Sequence, residues 1–238
     1  MKKILLSFLL IPAIGLGQGN VVSTFRVFPK IDKTLEFEKA FASHAAKFHT
    51  GDWKWRVLAI ESGPDAGGFH VVEGPLSWDQ FDKRGTLGVA HTADWANNVM
   101  PLTIERGSTS YSEYSAELSN IGIADYTDKV VITHMYPKSG MVVQATDLVK
   151  QLKQVWVASN ESVAVYRSVA SGAPEIVTVN RLKGGLKELA ENFRKPMAER
   201  FDAINGAGSW TRYLSEYANA IDKRWSEMLF LRADLSSK

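Results

Sequence analysis

Arg26, His70, Glu113, His134 and Arg232 combine residue type and strand position in a way that could do chemistry. Arg26 lies in VVSTFRVFPK and His134 in VVITHMYPK. Counted back from the shared Pro-Lys, the two occupy matching places. A guanidinium that is always charged, beside an imidazole that titrates near neutral pH, suits an anionic or enolisable ligand. A buried Arg26 needs an acceptor, and Glu113 is the expected carboxylate. His70 in FHVVEG, and Glu73 set against Asn180, are further candidates on matching strands. The bland reading stands beside this one. If the polar faces of these strands meet water, Arg26, Glu113 and Arg232 are ordinary surface residues. His70 and His134 are equally readable as structural histidines, and no catalytic residue is assigned.

Other chemistries find no motif. There is no HExxH, no Cys–His set and no calcium loop, and His44 and His49 stand five apart on a predicted helix, off a common face. No metal site and no cofactor are therefore expected. A P-loop, a GxGxxG and a GxSxG elbow are also missing.

The elements that must position these residues occur twice. Val21–Phe28 alternates like a half-buried strand and stops at Pro29. From Asp32, read as an N-cap, Leu35, Phe37, Phe41, Ala45 and Phe48 mark an amphipathic helix. Strands follow at 53–60 and 69–73. Ser77 caps a helix that breaks near Gly85–Gly88 and resumes to Asn98, and a strand at 110–118 closes the unit. The second half repeats the order: strand 130–136, helix 142–157, strands 163–169 and 176–182. A helix at 186–204 is interrupted at Pro196, a helical stretch covers 210–224, and the final strand is 228–235. Local echoes (ESG against ASG, AELS against ADLS) keep the same order. The fold class is α+β, a tandem duplication of a ferredoxin-like β-α-β-β-α-β unit. The boundaries read 1–17 signal peptide, 18–119 first unit, 120–128 linker, 129–238 second unit.

This pattern, with SWDQF opening the second helix just after a strand and an aromatic- and His-bearing helix beyond, resembles the dimeric α/β-barrel superfamily. Its members include antibiotic-biosynthesis-monooxygenase-like, NIPSNAP-like and EthD-like domains. The resemblance implies that the two units pair their sheets into one intramolecular barrel with helices outside. It also implies a small, partly apolar ligand in the barrel, or a cofactor-independent oxygenase or isomerase reaction there. Trp78, His91, Trp95 and Asn98 recur along the second helix in a stripe that could serve such a reaction or simply pack. Some relatives bind haem through one histidine, for which His91 or His134 could be invoked without a supporting motif. A structural module with a filled barrel is the third reading.

Strand alternation sets the expected inner faces. In the last strand Leu229, Leu231, Ala233 and Leu235 are assigned to the helix side, and Met228, Phe230, Arg232 and Asp234 to the barrel. The matching inner face of the first unit is Tyr111, Glu113, Ser115 and Glu117.

Lys2 and Lys3, an apolar run to Leu16 and Gly15-x-Gly17 read as a secretory signal cleaved before Gln18. The chain has no cysteine, so a lipoprotein anchor and disulfides are not expected, and an exported, periplasmic or secreted protein is. Removing residues 1–17 takes two of the 28 basic residues and leaves them balanced against 26 acidic ones. That neutrality argues against nucleic acid as a partner. The expected partner is a small molecule, with no membrane span after processing and a monomeric pseudo-dimer or a homodimer as the state.

Overall fold

The computed structural model describes residues 19–238. The signal-peptide reading of residues 1–17 lies outside them. No helix among the described residues is long and apolar enough to cross a membrane.

The first half contains β1 (Val21–Pro29), α1 (Thr34–Phe48), β2 (Trp55–Ile60), β3 (Phe69–Leu76), α2 (Trp78–Arg84), α3 (Val89–Asp94) and β4 (Thr103–Tyr114). The second contains β5 (Lys129–Pro137), α4 (Val142–Ala158), β6 (Val163–Val169), β7 (Ile176–Arg181), α5 (Met197–Asn205), α6 (Ser209–Ala220) and β8 (Ile221–Leu231). The strands close one barrel in the order β1-β3-β2-β8-β5-β7-β6-β4, and every pairing is antiparallel. Each half therefore runs 4-1-3-2 in its own numbering. The two joints, β2 with β8 and β6 with β4, are equivalent under exchange of the halves. The duplicated ferredoxin-like unit and the closed barrel expected from the sequence are both present.

Alternation sorts the apolar residues into two layers. Outside the first half, Phe37, Phe41 and Ala45 of α1 pack on Val27, Trp55, Val57, Phe69 and Val71. Outside the second, Ala145, Val149 and Trp156 of α4 cover Met135, Val163, Val165 and Ile176. Inside the barrel, Leu58, Ile60, Val130, Ile132 and Leu229 form an apolar wall. Leu35, expected on the buried side of α1, is exposed, and Asp32 does not cap it, because a single 3-10 turn at Ile31–Lys33 precedes the helix. Pro196 ends an irregular segment, and α5 starts directly after it.

Two strands differ from expectation. β4 spans 103–114 rather than 110–118, and β8 starts at Ile221 and ends at Leu231. In both, the inner face is the opposite of the one expected. Trp225, Glu227 and Leu229 point inward from β8, and Ser108, Ser110 and Ser112 from β4. Beyond Leu231 the chain leaves the barrel. There Leu235 joins the cluster under α1, and Ser236 and Ser237 accept the N–H groups of Val57 and Trp55.

Candidate functional site

A cavity of about 320 Å³ occupies the barrel. Strand register fixes what faces it. Arg26 on β1 pairs with His70 on β3 and with Ser108 on β4, and His70 pairs with Leu58 on β2. On the opposite side, His134 of β5 pairs with Val177 of β7 and Trp225 of β8. All seven line the cavity, so the inward positions of β1, β2, β3 and β5 are the even-numbered ones.

At one end the polar groups form a closed relay. Arg26 donates to both oxygens of Glu227 and to Asp65. His134 Nε2 stands 3.0 Å from Glu227 Oε1, and Nδ1 stands 2.5 Å from Glu175 Oε1. Carboxylates only accept, so both ring nitrogens must donate and His134 is an imidazolium. Burial opposes that charge, but the two carboxylates outweigh it and raise the His134 pKa. Burial likewise pushes Glu227 up, and bonds from His134 and Arg26 reverse this and hold it low. The Trp225 ring stacks on His134 at 3.9 Å and 11°. Burial, then the charge of Glu175, push the Tyr136 hydroxyl at this end up to about 12.

His70 is different. Its Nδ1 is buried with no hydrogen-bond partner among the described residues. Burial first, then the nearby Arg26 charge, hold its pKa down to about 3, so the ring is neutral at physiological pH.

The other end carries uncompensated positive charge. Arg181 pairs with Val130, four residues along β5 from His134, or about 13 Å at a strand's rise. Arg181 is buried and donates only to the carbonyls of Gly122 and Ile123 and to the Tyr166 hydroxyl. The Arg56 guanidinium lies 3.3 Å from the Tyr126 ring centroid, with Arg181 5.0 Å from the same ring. Neither arginine has a carboxylate partner among the described residues. Tyr126 and Thr127 come from the irregular connection between the halves, which also buries Ile123 against Val22, Ala164 and Tyr166.

Of the residues singled out in the sequence, Arg26, His70 and His134 face one cavity. Glu113 and Arg232 do not. Glu113 points outward and accepts from Trp78 Nε1 on α2, and Arg232 lies past β8, clamped to Glu38 of α1 and to Asp234. The acceptors of Arg26 are Glu227 and Asp65 instead. Glu73 also faces outward, bonded to Trp55 Nε1 and Arg84. The stripe Trp78, His91, Trp95 and Asn98 stays outside the barrel wall, where Trp95 packs on the cluster under α1. Haem ligation by His134 does not fit, because both ring nitrogens are engaged by carboxylates. Sequence reasoning missed Glu227, Asp65, Glu175, Arg56 and Arg181. The parity of Arg181, against its β5 partner Val130, was the signal available for one of them.

No protein-family model and no curated protein matches the chain. Solved structures do. An anthrone oxidase-like protein superposes with a TM-score of 0.59 at 10% identity, covering 91% of this chain and 92% of the other. A proposed monooxygenase from Fusobacterium nucleatum subsp. nucleatum gives 0.56 at 14% identity, covering 91% and 94%. A proposed chlorite dismutase gives 0.50 at 10% identity, covering 90% and 96%. At these identities the likeness is one of fold: an eight-stranded antiparallel barrel with helices outside, closed within one polypeptide.

Proposed function

We propose that the barrel binds a small molecule with an apolar body and an anionic group. The observation that carries this reading is the pair of cavity-facing arginines, Arg56 and Arg181, that lack a carboxylate. A buried guanidinium without an acidic partner is costly, and a ligand carboxylate or phosphate supplies that partner bidentately. Arg26 is not available for this role, because Glu227 and Asp65 already neutralise it. The wall of Leu58, Val130, Ile132, Val177 and Val179 suits the apolar body. The cavity itself argues against a barrel filled by its own side chains.

His70 supports a second reading, proton abstraction from a bound enolisable ligand in a cofactor-independent oxygenase or isomerase. Its ring is uncharged with one nitrogen unpartnered, but a pKa held down to about 3 makes it a weak base, which ranks this reading second. The monooxygenase and oxidase names of two fold neighbours agree with such chemistry in a barrel of this kind.

The test is native mass spectrometry of protein recovered from its own host. The expected result is a retained anionic small molecule, with occupancy reduced at least tenfold in Arg56→Ala while the unfolding midpoint holds. A wild-type chain that arrives empty and takes up no member of a panel of aromatic carboxylates would sink the reading. The same spectrum reports the export reading, for which we propose a mature chain beginning at Gln18.

A further inference from the structure

Three of the chain's five histidines lie together outside the barrel. His44 is on α1 and His91 on α3. His49 is not on the helix at all: it follows Phe48 at φ −103° and ψ 74°, which turns the chain back across the end of α1. One ring nitrogen from each histidine lies within 4.8 Å of the other two. His44 and His49 have no exposed surface. His44 Nε2, His49 Nε2 and His91 Nδ1 are all buried with no hydrogen-bond partner among the described residues. Each such atom left unpaired costs about 1–3 kcal/mol. One orphan is readable as local packing, but three on rings whose nitrogens approach within 4.8 Å call for a ligand.

The opposite ring nitrogens are held in the manner of metal-binding histidines. His44 Nδ1 meets Asp94 Oδ2 at 2.8 Å. His49 Nδ1 meets the Trp53 carbonyl at 3.2 Å, with Glu73 Oε2 at 3.3 Å. A carboxylate or carbonyl on the far nitrogen fixes the tautomer, turns the other nitrogen toward an ion and raises its basicity. Two cations lie near the cluster: Arg84, bound to Glu73 through two bonds, and Lys47, whose ammonium lies 4.8 Å from the Phe48 ring centroid.

We propose that His44, His49 and His91 form a binding site for a divalent first-row transition ion, with Zn²⁺ the best fit. Three neutral nitrogen donors without sulfur match zinc with a fourth position left for water or a small ligand. Nitrogens on a tetrahedral ion at about 2.05 Å stand ~3.4 Å apart, so the rings must close by no more than about 1.5 Å. His91 is half-buried, whereas His44 and His49 are fully buried, so its side is the way in for an ion. The site is separate from the barrel cavity, and its fate does not depend on the ligand bound there.

The experiment uses untagged full-length protein stripped with chelator and titrated calorimetrically with Zn²⁺. The expected result is one Zn²⁺ per chain at micromolar or lower free metal, with a rise in unfolding temperature. Co²⁺ should give the visible bands of a four- or five-coordinate ion. His91→Gln, at the rim, should weaken binding at least tenfold and abolish the Zn²⁺-dependent stabilisation, with the metal-free unfolding temperature unchanged. Asp94→Asn should weaken it about tenfold or more through His44. Wild-type protein that binds no Zn²⁺ at micromolar levels overturns the site, and so does binding that survives His91→Gln intact. In either case the cluster is aromatic packing around Trp55 and Trp95.

Discussion

His70 and His134 face the same cavity and titrate in opposite directions. The folded chain refuses a proton on His70 until about pH 3, whereas the unfolded chain takes it near pH 6.5. His70 therefore contributes stability in full above pH 6.5 and loses it as pH falls through that interval. His134 is raised, so its contribution is full below pH 6.5 and drains as pH climbs through its folded value. Ligand-free, metal-free protein should be most stable near pH 6.5, by urea unfolding across a pH series. His70→Leu should flatten the acid side and Glu175→Gln the alkaline side. A profile that neither variant changes would remove both assignments. Little of this was legible beforehand. Arg26 and His134 could be paired because both precede Pro-Lys on alternating strands. Glu227 could not, since it shares a strand with Met228 and Phe230, whose apolar side chains point outward while apolar Leu229 points in. When both faces of a strand are apolar, alternation loses its sign. The histidines of the outer cluster were hidden for a different reason: a five-residue spacing means nothing until the turn at His49 is known.

α2 shows how one element's end conditions reach the core. Ser77 Oγ accepts the Gln80 N–H at 3.2 Å, and Gln80 Oε1 accepts the Ser77 N–H at 2.9 Å, a reciprocal cap. The helix is only seven residues long, and its last one, Arg84, clamps Glu73. Ser77→Ala should lower the unfolding free energy by about 1 kcal/mol, measured by denaturant titration. No change would mean that Arg84 and Glu73, rather than the cap, hold the helix in place. Such punctuation read well from sequence: Ser77 as a cap, the break at Gly85–Gly88, the interruption at Pro196 and β6 at its full length. β4 and β8 read poorly. Ser108, Ser110 and Ser112 line the cavity with small polar groups, while Glu113 and Tyr111 lie on the outer face, where Glu113 bonds to Trp78 and Tyr111 packs on Phe81. A rule that sends charge to the polar face reverses such a strand.

The halves cannot come apart without opening both joints, β2 with β8 and β6 with β4. The apolar wall within draws on both halves, with Leu58 and Ile60 from the first and Val130, Ile132 and Leu229 from the second. Neither half can bury its inner face alone, so unfolding should be a single cooperative event. Intrinsic tryptophan fluorescence and far-ultraviolet circular dichroism should give coincident urea transitions. Two separated transitions would show that the units are independently stable.

The connection between the halves exists once, although nearly everything around it exists twice. In a ring of two identical chains with this strand order, equivalent strands run the same way, so the two-fold axis lies along the barrel and each group would recur at the same mouth on the opposite wall. Here Tyr126 and Thr127 come from the single connection, and Arg26 on β1 looks across at His134, not at a second arginine. Fusion has released the two copies from having to match. The chamber has acquired two unlike walls, and it can distinguish one side of a guest from the other.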